Sequence, residues 1–150
     1  MMRRIILMFV LTIAVSQFSF AQLREIPAAV KEAFAAQYPN AESPEYLDKV
    51  VSVQVHFAEG GNKKVASYNN KGMWRETEQD WEFEKLEADV QDGFEKSKYS
   101  GDEWEVTETK IITRPGNKTL YRIKVQKNEV QKKYLFFTGT GKLVSETITL

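Results

Sequence analysis

The chain contains no cysteine, and His56 is its single histidine. Without a thiol it can form no disulfide and offers neither a cysteine nucleophile nor a thiolate ligand. Zinc and copper sites ordinarily need several imidazole or thiolate ligands, so we expect no metal and no cofactor. His56 lies between Val55 and Phe57 in an alternating run, which is typical of a solvent-facing strand residue.

Catalytic motifs are missing as well. No G-x-S-x-G nucleophile motif occurs, and Gly60-Gly61-Asn62 lacks the following helix and Lys-Ser/Thr pair of a phosphate-binding loop. The alternative is a catalytic pair of carboxylates that are distant in the sequence and are brought together by folding. We therefore expect a protein that is not an enzyme. Acids gathered around His56 would revive the catalytic hypothesis.

The chain has no excess of one charge, since 21 lysines and arginines balance 21 acids. Proteins that bind nucleic acid usually present a basic surface that releases counterions from the phosphates. We expect no nucleic-acid partner.

The first residues resemble a targeting segment. Two arginines lie near the start, residues 5–15 are apolar apart from Thr12, and small residues follow at Ser19 and Ala21. This order is typical of a secretory signal peptide over residues 1–21, cleaved after Ala21. The apolar run is shorter than the ~20 residues of a spanning helix, although an uncleaved anchor is the alternative. We expect a periplasmic or secreted protein of net charge −2, with no membrane span after cleavage.

Two segments have the apolar spacing of a helix face. In the first, apolar residues recur from Ile26 to Tyr38, and Pro39 ends the pattern. In the second, the corresponding positions are Leu86, Val90, Phe94 and Tyr99. Alternating, strand-like runs follow each helix, separated by turns rich in Gly and Asn. These runs cover residues 51–57, 63–68, 73–78, 104–113, 120–125, 132–137 and 142–149.

The two halves match as elements, each with one helix and about four antiparallel strands. Residues 63–74 align without gaps with residues 132–143, and Gly72 falls on Gly141. We predict an α+β protein with a tandem repeat, in which residues 22–84 form the first repeat and residues 85–150 the second. Such units of about 60 residues would share one core and one sheet.

Two patterns carry a resemblance to a known family: Ile26-Pro-x-x-Val-x-x-x-Phe34-x-x-x-Tyr38-Pro39-x-Ala41 and Tyr68-x-x-x-Gly72-x-Trp74. They resemble the periplasmic PepSY-like family, also called beta-lactamase-inhibitor-like, as two tandem copies. The resemblance implies an exported protein of a Gram-negative bacterium, with its helices on one face of a curved antiparallel sheet. Fold kinship of this kind does not by itself supply a mechanism.

Acidic residues recur at every second position from residue 76 to residue 84. If one strand continues that far, Glu76, Glu78, Asp80, Glu82 and Glu84 line one face together with Trp74. One interpretation is a stripe that meets a basic partner or calcium. The other is an ordinary solvated strand face that leads into the acidic start of the second helix.

A sheet with helices on one face leaves half of its side chains without cover. Tyr134 and Phe136 share a face by alternation, so an aromatic pair would point away from the helices. We predict that this open face binds a partner, because Trp and Tyr dominate binding hot spots. The predicted partner-binding residues are Trp74, Glu76, Glu78, Trp104, Tyr121, Tyr134 and Phe136.

The leading hypothesis is a non-enzymatic exported module that binds a protein or peptide of the cell envelope, and inhibits or regulates an envelope protein. The alternative is a small-ligand-binding or envelope-sensing domain with an apolar pocket between helices and sheet. The oligomeric state is left open.

Overall fold

The computed structural model describes residues Glu25–Thr149. The predicted signal peptide, residues 1–21, lies outside the described residues. Within residues 25–149, no helix is long and apolar enough to cross a membrane.

The described chain has one helix followed by four strands, and then repeats that order. The first half contains α1 (Ala28–Gln37), β1 (Glu42–Asp48), β2 (Ser52–Glu59), β3 (Asn62–Asn69) and β4 (Trp74–Trp81). A short 3₁₀ helix (Phe83–Lys85) leads into the second half, which contains α2 (Ala88–Glu95), β5 (Glu105–Arg114), β6 (Lys118–Gln126), β7 (Lys132–Thr138) and β8 (Leu143–Thr149). The expected boundary at residues 84 and 85 falls inside the 3₁₀ helix.

The eight strands form one antiparallel sheet in chain order, β1 to β8. The predicted α+β class is therefore confirmed. Strands β4 and β5 pair across the two halves, with Thr77 opposite Thr113 and Trp81 opposite Thr109. This pairing joins the halves into one sheet and leaves β1 and β8 as its edges. That the halves arose by duplication stays a prediction.

Each helix packs its apolar stripe on its own half of the sheet. Val30 and Phe34 of α1 are buried on a cluster from β2 and β3: Val53, Val55, Phe57, Ala66 and Tyr68. Val90 and Phe94 of α2 are buried on a cluster from β6 and β7: Tyr121, Ile123, Val125, Leu135 and Phe137. The strand residues alternate, as a sheet buried on one face requires. Burial of this apolar surface is the main force that holds helices to sheet.

Glycine in two hairpin turns allows the helices to approach closely. Gly72, in the β3–β4 turn at φ +79°, lies so near α1 that an added Cβ would be 2.5 Å from the carbonyl oxygen of Ala29. Gly141, in the β7–β8 turn at φ +74°, lies against the carbonyl of Asp89 in α2. Only glycine fits both the left-handed backbone and the contact.

The helix and strand predictions differ from the structure in two places. The second helix ends at Glu95, so Tyr99 lies beyond it in a turn, where it is still buried. Strand β1 was not located, because its sequence Glu-Ser-Pro-Glu-Tyr-Leu-Asp contains proline and acids rather than alternating apolar residues. A register irregularity between Glu42 and Glu45 allows Pro44 to be accommodated in this edge strand.

Candidate functional site

The sheet face away from both helices, here called the open face, is described by cross-strand pairs. One row runs Asp80, Lys110, Arg122, Phe136 and Ser145 from β4 to β8. Directly opposed residues of an antiparallel sheet lie on the same face. The row on one side of this first row contains Glu78, Ile112 and Leu120. The row on the other side contains Glu108, Lys124, Tyr134 and Thr147.

Arg122 is at the centre of an ion network on this face. Its Nη1 and Nη2 donate to the two carboxylate oxygens of Glu78 at 2.9 and 3.1 Å. Nη2 also donates to Glu108 at 3.1 Å. Lys110 Nζ lies 3.2 Å from Glu78 and 3.3 Å from Asp80. A fork of two parallel N–H···O bonds fixes both position and angle, so the central open face is held rigidly.

The network also raises the pKa of its two cations, Lys110 and Arg122. Burial lowers the pKa of Lys110, but the carboxylates of Glu78 and Glu108 outweigh it and raise the pKa above its ordinary value. The same balance raises the pKa of Arg122. Both groups therefore stay charged throughout the physiological range.

Two aromatic side chains adjoin the network on β7. The guanidinium carbon of Arg122 lies 4.6 Å from the centre of the Tyr134 ring, and Lys124 Nζ lies 5.6 Å from it. Phe136 is directly opposite Arg122. Tyr134 and Phe136 are both partly exposed. This arrangement offers a flat apolar area with cations at its border.

A groove of about 460 Å³ opens on the same face, nearer β1. His56 lines it, together with Glu42, Glu45, Glu78 and Asp80. His56 does lie on the open face, but it is half-buried, and its Nε2 has no hydrogen-bond partner among the residues described. His56 therefore lies on the face that was predicted for it, with its side chain only partly exposed.

No group of three or more His, Cys, Asp or Glu within residues 25–149 is arranged to hold a metal ion.

Trp74 was predicted to lie on the open face, but the structure places it on the helix side of the sheet. A register shift between Ser67 and Tyr68 pairs Trp74 with Tyr68, and Trp74 packs against the cluster under α1. Its indole N–H donates to Thr77 Oγ1 at 2.9 Å. The bulge adds a residue between Trp74 and Glu76, so the two no longer share a face.

Trp104 and Tyr121 are also on the helix side. Trp104 precedes β5 and meets the Tyr99 ring edge-on at 5.2 Å. Tyr121 is 6% exposed and pairs with Phe137 under α2. Its hydroxyl donates to Glu87 at 2.7 Å. Tyr121 belongs to the buried cluster under α2 and Trp104 packs against that cluster, so both were wrongly placed on the binding face.

The remaining predicted residues do lie on the open face: Glu76, Glu78, Tyr134 and Phe136. Glu76 accepts a hydrogen bond from Arg114 Nε at 2.9 Å. The acidic stripe is shorter than expected, because β4 ends at Trp81, before Glu82 and Glu84. Within the strand, Glu76, Glu78 and Asp80 are all held in ion pairs with this chain's own cations.

The sequence interpretation did not include the cations of the open face. Arg122 and Lys110 occupy even-numbered positions of their strands, on the same face as Tyr134 and Glu78. Alternation within β6 could have shown that Arg122 and Lys124 face away from the apolar Ile123 and Val125. Which acids they would meet depends on the pairing of β4, β5 and β6.

Comparison with known proteins gives structural neighbours. No family model matches the sequence, and no curated protein matches it. A DUF2874 family protein from Bacteroides ovatus is similar at 25% identity and a TM-score of 0.75, over 83% of this chain and 89% of that one. A BLIP-like protein from Bacteroides fragilis is similar at 23% identity and a TM-score of 0.75, over 85% of this chain and 89% of that one.

A third structure, from Bacteroides eggerthii and provisionally named a periplasmic protein, is similar at 20% identity and a TM-score of 0.72. The similarity extends over 83% of this chain and 90% of the Bacteroides eggerthii chain. The chain therefore has a BLIP-like fold, whereas the PepSY-like relationship stays a prediction.

Proposed function

We propose that this protein is a non-enzymatic exported module that binds a protein or peptide of the cell envelope on its open face. The observation that carries the proposal is the partly exposed pair Tyr134 and Phe136, which lies on the side of the sheet away from both helices. A sheet covered on one face only has a second face available for contact. The provisional periplasmic name of one structural neighbour supports the location.

Binding fits the geometry better than catalysis does. Acids do gather around the groove of His56, which is the arrangement that would favour an enzyme. Two of them, Glu78 and Asp80, are already held by Lys110 at 3.2 and 3.3 Å. Such a pair is suited to holding a surface in shape rather than to exchanging protons with a substrate. We further propose that binding inhibits or regulates the envelope protein that is bound.

The test is site-specific photo-crosslinking in the cell envelope. A photoreactive phenylalanine analogue at Phe136 should yield an adduct with one protein, which mass spectrometry identifies. The same analogue at Ala35, an exposed residue of α1, is the matched control and should yield none. The purified partner should then bind the wild-type protein in solution. Absence of an adduct at Phe136, or the same adduct at Ala35, would contradict binding through the open face.

A second candidate is small-ligand binding in the groove of His56. The supporting observation is the buried Nε2 without a hydrogen-bond partner among the described residues, since a buried polar atom of this kind is costly unless something satisfies it. This groove lies on the open face and not between helices and sheet, where the alternative hypothesis put the pocket. Native mass spectrometry of protein purified from its own envelope should show the added mass, and an unliganded mass would count against this function.

A further inference from the structure

Charge is divided unevenly over the open face. On β6, β7 and β8, its charged strand residues are Lys118, Arg122, Lys124 and Lys132, and none is acidic. The acids of this face lie on β1, β4 and β5: Glu42, Glu45, Glu76, Glu78, Asp80, Glu105 and Glu108. We call the part on β6–β8 the basic half-face and define it by those four cations with Tyr134 and Phe136.

Much of the acidic charge near the centre is already neutralised. Glu76 pairs with Arg114, and Arg122 and Lys110 hold the other acids of the central network. In contrast, Lys118, Lys124 and Lys132 have no acid within ion-pair distance among residues 25–149. The charge left over for a partner on the basic half-face is therefore positive. This balance of charge favours the interpretation of the acidic stripe as an ordinary strand face over a stripe that meets a basic partner.

Cations and aromatic rings are interleaved at the spacing of an extended chain. Lys132, Tyr134 and Phe136 alternate along β7, so neighbouring side chains on this face are roughly 6.6–6.8 Å apart. Lys124 is directly opposite Tyr134. An extended polypeptide presents its own alternate side chains at the same period, so acids can meet the lysines while apolar groups rest on the rings.

We propose that the occupant of the basic half-face is an acidic, extended segment of a protein partner. This inference rests on the proposed function, because it names the chemistry of the partner bound on the same face. Charge complementarity steers the encounter, and the partly exposed rings of Tyr134 and Phe136 supply apolar contact.

The test uses synthetic nine-residue peptides, the length of β6, and the protein labelled for NMR. One peptide alternates Glu with Thr, Val and Tyr; its matched counterpart has Lys in place of Glu. The acidic peptide should shift amide signals of β6 and β7, and its affinity should fall several-fold as salt rises from low to physiological strength, because exposed charges are then screened beyond ~8 Å. The lysine peptide should bind at least tenfold more weakly.

Charge reversal supplies the matched variants. The variant K118E/K124E/K132E should bind the acidic peptide at least tenfold more weakly than the wild type does. K31E/K71E/K142E reverses three exposed lysines outside the basic half-face and should change its affinity less than twofold. Equal effects of the two triple variants would show that net charge alone attracts the peptide, and would overturn the inference. Thermal midpoints of both variants check that each one folds.

Three further outcomes decide how this inference stands relative to the proposed function. One is an identified partner that is crosslinked at Phe136 and yet binds K118E/K124E/K132E with the affinity of the wild type. That outcome would contradict the acidic segment and would still support binding on the open face. If no peptide binds and no crosslink forms, both fail. Lysine-dependent binding of heparin or phosphatidylglycerol vesicles without binding of the acidic peptide would also overturn the inference, because the ligand would then be an anion but not a protein.

Discussion

Arg122 on β6 reaches across the whole of β5 to bind Glu78 on β4, with both carboxylate oxygens engaged at 2.9 and 3.1 Å. The bridge passes between Lys110 and Ile112, which face it from β5. Ile112 is only 1% exposed although it lies on the face away from the helices. The long side chains of the bridge cover this apolar residue as well as pairing charge. The network therefore stabilises the junction between the two halves of the sheet.

Replacement of Glu78 should destabilise the fold. Glu78→Ala leaves Arg122 with Glu108 alone, and Arg122 is only 13% exposed. Because Arg122 keeps Glu108, loss of one partner from this partly buried network should cost about 1–3 kcal/mol. The matched control is Glu76→Ala, whose partner Arg114 is 42% exposed, and which should cost less than about 1 kcal/mol. Urea unfolding of both variants measures the difference, and equal losses would show that the network contributes no more stability than the more exposed pair of Glu76 with Arg114.

Glycines allow a graded test of how the helices dock on the hairpins. Gly141→Ala should be strongly destabilising, because a Cβ there overlaps the Asp89 carbonyl and the left-handed backbone disfavours it. The backbone strain costs roughly 1–2 kcal/mol, and the overlap adds about 1–3 kcal/mol more. Thermal unfolding followed by circular dichroism measures the loss.

Two other glycines separate the strain from the overlap. Gly116 has φ +80° with nothing near its position for a Cβ, so Gly116→Ala should show the strain alone. Gly101 has open space and no left-handed backbone, so Gly101→Ala should be close to neutral. A Gly141→Ala loss no larger than that of Gly116→Ala would mean that α2 simply moves away.

The fold was predictable to the extent that it depends on local periodicity. Apolar alternation in β2, and the helical spacing of Val30 and Phe34, were enough to locate these elements and the face that each one buries. Strand β1 was not predicted, because this edge strand contains Pro44 and lacks that alternation. Edge strands tolerate such residues since only one of their sides is paired.

The site was less predictable, because it depends on register between strands. Trp74 shares parity with Glu76 in the sequence, yet the bulge beside Tyr68 turns it to the helix side. Tyr121 pairs with the buried Phe137, a relationship between two strands that neither strand reveals by itself. Arg122 and Glu78 are 44 residues apart in the chain. No local pattern could have joined them.

Alkaline pH should unfold the protein through its buried tyrosines. Burial, aided by the hydrogen bond to Glu87 and its charge, raises the pKa of Tyr121 from 10.0 to about 12. Burial also raises the pKa of Tyr38 and Tyr68. A group whose pKa is higher in the folded state contributes stability that is fully present below its unfolded pKa and is lost as pH rises. The loss for Tyr121 therefore falls between pH 10 and about 12.

Two measurements check this pH dependence. Tyrosinate absorbance should rise together with unfolding rather than before it, and the free energy of unfolding should decline across that window. Tyr121→Phe removes one ionising group and should make the decline shallower, although it also loses a hydrogen bond worth about 1 kcal/mol at neutral pH. An unchanged slope in the variant would mean that Tyr121 ionises without loss of structure.

Neighbouring phenylalanines on β7 separate the core from the binding face. Phe137 is fully buried under α2, whereas Phe136 is partly exposed on the open face. Phe137→Ala should cost about 3–5 kcal/mol, because it removes a core ring and leaves a cavity. Phe136→Ala should cost clearly less, since the lost ring is already in contact with water and leaves no enclosed space. The two free energies of unfolding in urea measure the contrast. If Phe136→Ala proves as costly as Phe137→Ala, then Phe136 supports the sheet itself, and the open face loses the apolar area on which partner binding depends.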